Sequence, residues 1–75
     1  METIVKLDKF SATPFKQEIE LQQAEYAADF VTLRVRIREG SRFTVFDIDE
    51  HTATRWGLAM LEWADLQKQV REVQN

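Results

Sequence analysis

The sequence predicts an α+β protein that forms a single domain over residues 1–75, with four antiparallel strands in meander order and one C-terminal helix packed on one face of the sheet. Two patterns support this fold class. Apolar and polar residues alternate through the first two thirds of the chain, which is typical of half-buried strands. In the last third, apolar residues recur every three or four positions, which is typical of an amphipathic helix. A chain of 75 residues can enclose one hydrophobic core.

The first predicted strand covers residues 3–10, in which Val5 and Leu7 alternate with charged or polar neighbours. Pro14 follows soon after this strand and indicates a turn, because its ring fixes φ and removes a backbone hydrogen-bond donor. The chain is therefore expected to reverse direction between the first strand and the next element.

Residues 15–25 fit either a strand or a helix. Pro14 could occupy the first position of a helix, and the Gln, Glu and Ala residues that follow favour one. Against this, three apolar residues at odd-numbered positions share one face of a strand. They are Phe15, Ile19 and Leu21. We predict a strand here and keep the helix as the alternative.

The third and fourth predicted strands, residues 31–38 and 42–48, form a hairpin. Alternation is clearest in the third strand, VTLRVRIR, and Gly40-Ser41 suits a two-residue turn with the glycine at positive φ. Pairing across this turn in the tightest register brings apolar residues together on one face. This register sets Glu39 opposite Arg42, Ile37 opposite Thr44, Val35 opposite Phe46, Arg34 opposite Asp47 and Leu33 opposite Ile48.

After the fourth strand the period changes, and one helix is predicted over residues 50–73. Seven apolar residues fall on one side of it, namely Ala53, Trp56, Ala59, Met60, Trp63, Leu66 and Val70. We expect both tryptophans in the core, because large aromatic side chains on the apolar side of a helix are usually buried. Gly57 disfavours a helix by about 1 kcal/mol relative to Ala, and we attribute it to a close approach between helix and strand.

The segment DIDEH, residues 47–51, contains three acids and the only histidine of the chain. A metal site would need Asp47, Asp49 and His51 to converge, which requires the strand to continue through His51. We instead expect Asp49 to be the N-cap of the helix, since its carboxylate can accept hydrogen bonds from first-turn amides. Glu50 then suits the positive end of the helix dipole. The sequence therefore predicts a helix start and no bound metal.

The composition disfavours several classes of function. The chain has no cysteine, which excludes disulfides, thiolate catalysis and zinc sites with cysteine ligands. There is no glycine-rich phosphate loop, and His51 is the only histidine available as a catalytic base. We therefore predict no enzymatic activity and no catalytic, cofactor-binding or metal-binding residue. The net charge is −3, and without a signal peptide or a membrane-spanning apolar run we expect a cytoplasmic protein.

The sheet face opposite the predicted helix is the candidate interaction surface. It carries Arg34, Arg36, Arg38, Phe43 and Val45. An uncovered face with aromatic and aliphatic members indicates a site for a partner, either another protein or a second copy of the chain in a homodimer. A smaller contact patch could form at Leu58 and Leu61 of the helix.

The three arginines of this face also suggest an alternative, binding of nucleic acid. Residues two apart on a strand point the same way, so the guanidinium groups form a row that could follow phosphates. Setting Leu21 opposite Leu33, with a loop around residues 25–29, disfavours this alternative. That register places Glu20 beside Arg34 and Glu18 beside Arg36, and leaves Arg38 without an acid.

One block of the chain, RFTVFDIDEHTATRWGLAMLEWA at residues 42–64, resembles small bacterial proteins of no assigned function. The resemblance covers about a third of the chain and includes no catalytic motif. It implies a strand followed by a helix and adds nothing about activity.

Overall fold

The computed structural model describes residues 2–27 and 29–74, and the side chains of 2–27 and 29–73. Four strands and one helix follow in chain order: β1 Thr3–Ser11, β2 Glu18–Ala27, β3 Phe30–Glu39, β4 Arg42–Ile48 and α1 Glu50–Gln74. The strands form one antiparallel sheet in the order β1-β2-β3-β4. The predicted fold class, an α+β protein with an antiparallel meander sheet and a C-terminal helix, is confirmed.

The ambiguous second element is a strand, but it begins three residues later than predicted. Lys16 has a φ of 61°, a left-handed conformation that does not continue an extended strand. The backbone amide of Ala12 donates to the carbonyl oxygen of Gln17 at 2.7 Å and closes the turn. Pairing between β1 and β2 therefore starts only at Glu18.

The β3–β4 hairpin has the predicted register. Val35 pairs with Phe46, and Gly40 has a φ of 62° in the two-residue turn. This register follows from local information, because a two-residue turn fixes which residues face each other.

The predicted β2–β3 register is wrong by two residues. Leu21 pairs with Val35 instead of Leu33. The strands continue to Ala27 and resume at Phe30, which pair with each other, so the predicted loop around residues 25–29 was too long. Position 28 of that loop lies outside the described residues. A shift of two keeps every side chain on its predicted face and changes only its partners.

The register divides the sheet into two faces. The apolar face, as we call it, carries Val5, Phe10, Ile19, Leu21, Leu33, Val35, Ile37, Phe46 and Ile48. The polar face carries Glu18, Glu20, Arg34, Arg36, Arg38, Phe43, Val45 and Asp47.

The helix covers only a small part of the apolar face. A single residue separates β4 from the helix. The helix contacts β3, and the centre of the Trp56 ring lies 5.8 Å from the centre of the Phe46 ring. Further along, Trp63 is 65% exposed. The predicted packing of the helix on one face is thus limited to the first turns of the helix, because α1 starts at the edge of the sheet. The prediction that both tryptophans lie in the core is wrong.

The described chain encloses a very small core. Ala24 and Val35 are its only buried apolar residues. The radius of gyration is 15.5 Å, whereas a compact chain of 75 residues would have about 11 Å. The accessible surface is 6401 Å², against about 4,800 Å² for a typical monomer of 8.8 kDa. Much apolar surface therefore remains uncovered.

Gly57 does not lie against a strand, contrary to the sequence-based expectation. A Cβ added there would meet no atom within 4 Å.

We expect Gly57→Ala to raise the free energy of unfolding by about 0.5–1 kcal/mol, because alanine restricts the unfolded chain and favours the helix. Gly40→Ala is the matched control. It should be destabilising, since the φ of 62° at Gly40 is costly for alanine. Urea unfolding of the three proteins measures both changes, and a loss of stability in Gly57→Ala would contradict the open environment described for this residue.

Candidate interaction surfaces

A network of hydrogen bonds on the polar face centres on Arg34. Its Nε donates to Oδ1 of Asp47 at 2.8 Å, and its Nη1 donates to Oε1 of Glu2 at 2.9 Å. Asp47 also accepts hydrogen bonds from the hydroxyls of Tyr26 and Thr32. This group joins both ends of the meander, because Glu2 precedes β1 and Asp47 belongs to β4.

The electrostatics of this network stabilise its charged form. Hydrogen bonds from Arg34, and then from Tyr26, hold the pKa of Asp47 well below its usual range. The same contact with Asp47 raises the pKa of Arg34, and the Arg34 side chain lowers the pKa of Glu2. The guanidinium of Arg34 is therefore already engaged by carboxylates of its own chain.

The two remaining arginines of the row are also engaged within the chain. Arg38 lies 3.5 Å from the carboxylate of Glu18, which also contacts Lys9 at 3.4 Å. The Cζ atom of Arg36 lies 4.5 Å from the centre of the Phe43 ring, a cation–π contact, and Glu20 faces Arg36 across the sheet.

These contacts correct the predicted charge pairs. The opposition of Arg34 and Asp47 is confirmed. Glu20 faces Arg36 instead of Arg34, and Glu18 faces Arg38 instead of Arg36. The two-residue shift thus places Glu18 opposite Arg38, which had no acidic partner in the predicted register. Of the apolar members of the candidate surface, Phe43 and Val45 are both exposed.

The DIDEH segment begins the helix, as predicted. Oδ1 of Asp49 accepts a hydrogen bond from the Thr52 amide at 3.1 Å, and the Asp49 carbonyl accepts one from Ala53. Hydrogen bonds from Thr52, through its side chain and its amide, lower the pKa of Asp49. Asp47 belongs to the Arg34 network and His51 is exposed in the first helical turn. Across residues 2–27 and 29–74, no group of three or more potential metal ligands is found.

Two exposed apolar surfaces were not foreseen from the sequence. The first, the helix stripe, consists of Trp56, Met60, Trp63, Leu66, Val70 and Val73. The second, the β1 patch, consists of Val5, Leu7 and Phe10. The sequence pattern placed most of the stripe residues on the apolar side of the helix, and that side was expected to pack against the sheet of the same chain. The signal against that assignment was the single residue between β4 and α1, which leaves the helix at the sheet edge.

A cavity of about 440 Å³ adjoins the β1 patch at the end of the sheet where the helix starts. Leu7 and Leu33 are among the residues that line it. Its lining also includes three exposed acids, Asp29, Asp49 and Glu50. The cavity therefore combines apolar side chains of the sheet with three carboxylates.

The fold and these surfaces define a small α+β protein with an open antiparallel sheet and two uncovered apolar surfaces. The chain belongs to a family of unknown function (DUF6967), whose model matches residues 1–66. The resemblance noted over residues 42–64, to proteins of no assigned function, is thereby confirmed. Comparison with curated proteins and with solved structures found no match. No helix in the described part of the chain is long and apolar enough to cross a membrane.

The Arg34–Asp47 pair predicts how stability depends on pH. The pKa of Asp47 is lower in the folded state than in the unfolded chain, so the carboxylate stabilises the fold fully above the unfolded pKa of about 4. That stabilisation is lost as the pH falls towards the folded pKa. We expect Asp47→Asn to lower the urea midpoint at pH 7 and to reduce its further decline between about pH 5 and pH 2. Asp65→Asn, on the exposed helix surface, should behave as the wild type. An unchanged acid profile in Asp47→Asn would contradict this role.

The N-cap contact gives a second prediction. Asp49→Ala removes the acceptor of the Thr52 amide, so we expect a lower urea midpoint and a weaker helical circular dichroism signal near the transition. Asp49→Asn is the matched control, because its side-chain oxygen can still accept that hydrogen bond. Equal losses in the two variants would show that the carboxylate charge, and not capping, stabilises the helix.

Proposed function

We propose that this protein is a protein-interaction module whose folded unit is a homodimer, formed through the helix stripe and the apolar face. The observation that carries the proposal is the large accessible surface. It exceeds that of a typical monomer of this mass by about 1,600 Å². Part of this accessible surface is apolar, because the helix stripe and the β1 patch are exposed, and exposed apolar patches mark interaction sites.

The size of the surplus supports a stable dimer. If each chain buried this surplus, the interface would total about 3,200 Å², within the range of roughly 2,000–5,000 Å² found for obligate homodimers. Such interfaces resemble a domain core divided between two chains. An apolar interior that is nearly absent from one chain would then be completed by association.

A second copy is the partner that the two surfaces favour. One uncovered surface is the side of a helix and the other is the face of a sheet, and these two kinds of surface pack against each other in α+β domains. Both surfaces occur on one chain, so a two-fold dimer can bury the helix stripe and the apolar face of each copy at once. Their lengths also agree, since 25 helical residues extend about 37 Å and strands of ten residues about 33 Å.

Nucleic-acid binding through the arginine row remains the alternative, and the contacts of the row disfavour it. Arg34 and Arg38 contact carboxylates, while Arg36 lies over Phe43. Phosphates would have to compete with those carboxylates.

We propose no catalytic role. The lack of cysteine is compatible with the reducing cytoplasm, where we propose that the protein acts.

Sedimentation equilibrium tests the homodimer. We expect a mass of twice 8.8 kDa at micromolar chain concentration. Leu66→Glu places a charge in the helix stripe and should shift the protein towards monomer. Leu58→Glu is the matched control, since the two leucines are 57% and 54% exposed and Leu58 lies outside the stripe.

Two results would contradict the proposal. A wild-type monomer across the whole concentration range would remove the homodimer. A dimer disrupted by Leu58→Glu and unaffected by Leu66→Glu would place the interface on the other side of the helix.

A further inference from the structure

We infer that the C-terminal half of α1 from one copy docks on the β1 patch of a second copy, with its end seated in the acidic cavity. This inference rests on the proposed homodimer and specifies which surfaces meet. The occupant of the β1 patch is thus the helix of the partner, and each chain both gives and receives a helix.

The first support is the position of the β1 patch relative to its own helix. The helix starts at the end of β4 and contacts β3. β1 is the opposite edge of the sheet, three strand spacings or about 14 Å from β4. An α-helix with its side chains is only about 10 Å wide, so α1 does not cover β1 from its place over β3. The apolar side chains of β1 need another cover.

The second support is an irregularity of β1. The pairing register shifts between Lys6 and Asp8, so Leu7 is an extra residue in the strand. Leu7 lines the cavity together with Gln23 and Leu33, and it is 53% exposed. The bulge thus directs Leu7 to the cavity, and Leu7 does not fill it. A side chain of the partner could therefore enter the cavity and make an apolar contact with Leu7.

The third support is charge complementarity. Asp29, Asp49 and Glu50 all line the cavity. At the other end of the helix, Arg71 flanks the stripe, whereas Glu72 falls on the far side of the helical wheel. In a two-fold dimer with antiparallel helices, the end of one helix meets the start of the other. Arg71 of one copy would then approach the acids at the cavity of its partner.

Site-directed crosslinking tests this contact, and the chain has no native cysteine to interfere. A tagged chain with Leu7→Cys is mixed with an untagged chain with Val70→Cys, the subunits exchange, and a short bis-maleimide is added. The matched control replaces Leu7→Cys by Phe43→Cys, at a residue of nearly equal exposure, 52%, on the polar face. Circular dichroism and sedimentation verify that each variant folds and dimerises.

We expect the 7–70 product to form on the order of a hundredfold faster than the 43–70 product at micromolar chain concentration. Docked thiols meet at millimolar effective concentration, whereas undocked ones meet only by diffusion. If sedimentation shows dimers but the 43–70 or 70–70 product dominates, or no product forms, the docking is refuted and the homodimer stands. A monomer at every concentration refutes both.

Discussion

The short connection between β4 and α1 limits how much of the sheet the helix of the same chain can cover. Only Asp49 separates the two elements, and its carboxylate caps the helix, so the helix must start where the edge strand ends. A helix about 10 Å wide that starts at one edge covers its neighbouring strands and leaves the far edge of a four-stranded sheet open. The Trp56–Phe46 contact marks the region that is covered, and the exposed side chains of β1 mark the region that is not.

The polar face supplies specificity more than stability. Its ion pairs are partly exposed, and such pairs contribute little free energy individually. Their arrangement nevertheless favours one register, because in it every arginine of β3 meets an acid or an aromatic ring of its own sheet. A slip by two residues would leave Arg38 without an acid. The charges therefore select among registers that the apolar face alone does not distinguish, since a shift of two preserves the faces.

The outcome shows which features the sequence could predict. Element types and the β3–β4 register followed from local patterns, a period of two and a tight turn with Gly40. The β2–β3 register depended on the length of the connecting loop, which the alternation of residues does not determine. Matching all three arginines to partners would have identified the correct register. The exposure of Trp63 could not be predicted from the local pattern, because an amphipathic helix has an apolar side whether or not the sheet of the same chain covers it.

Domains of this size rarely gain enough stability from one hydrophobic core and usually add disulfides, a structural metal or oligomerisation. Composition excludes the first, since there is no cysteine. Residues 2–27 and 29–74 contain no cluster of three or more potential metal ligands. Ala24 and Val35 are the only buried apolar residues in the described part of the chain, and the proposed homodimer is an instance of the third route. In the proposed homodimer, folding and association would be one equilibrium, and the apolar surfaces that meet would also supply the missing part of the core.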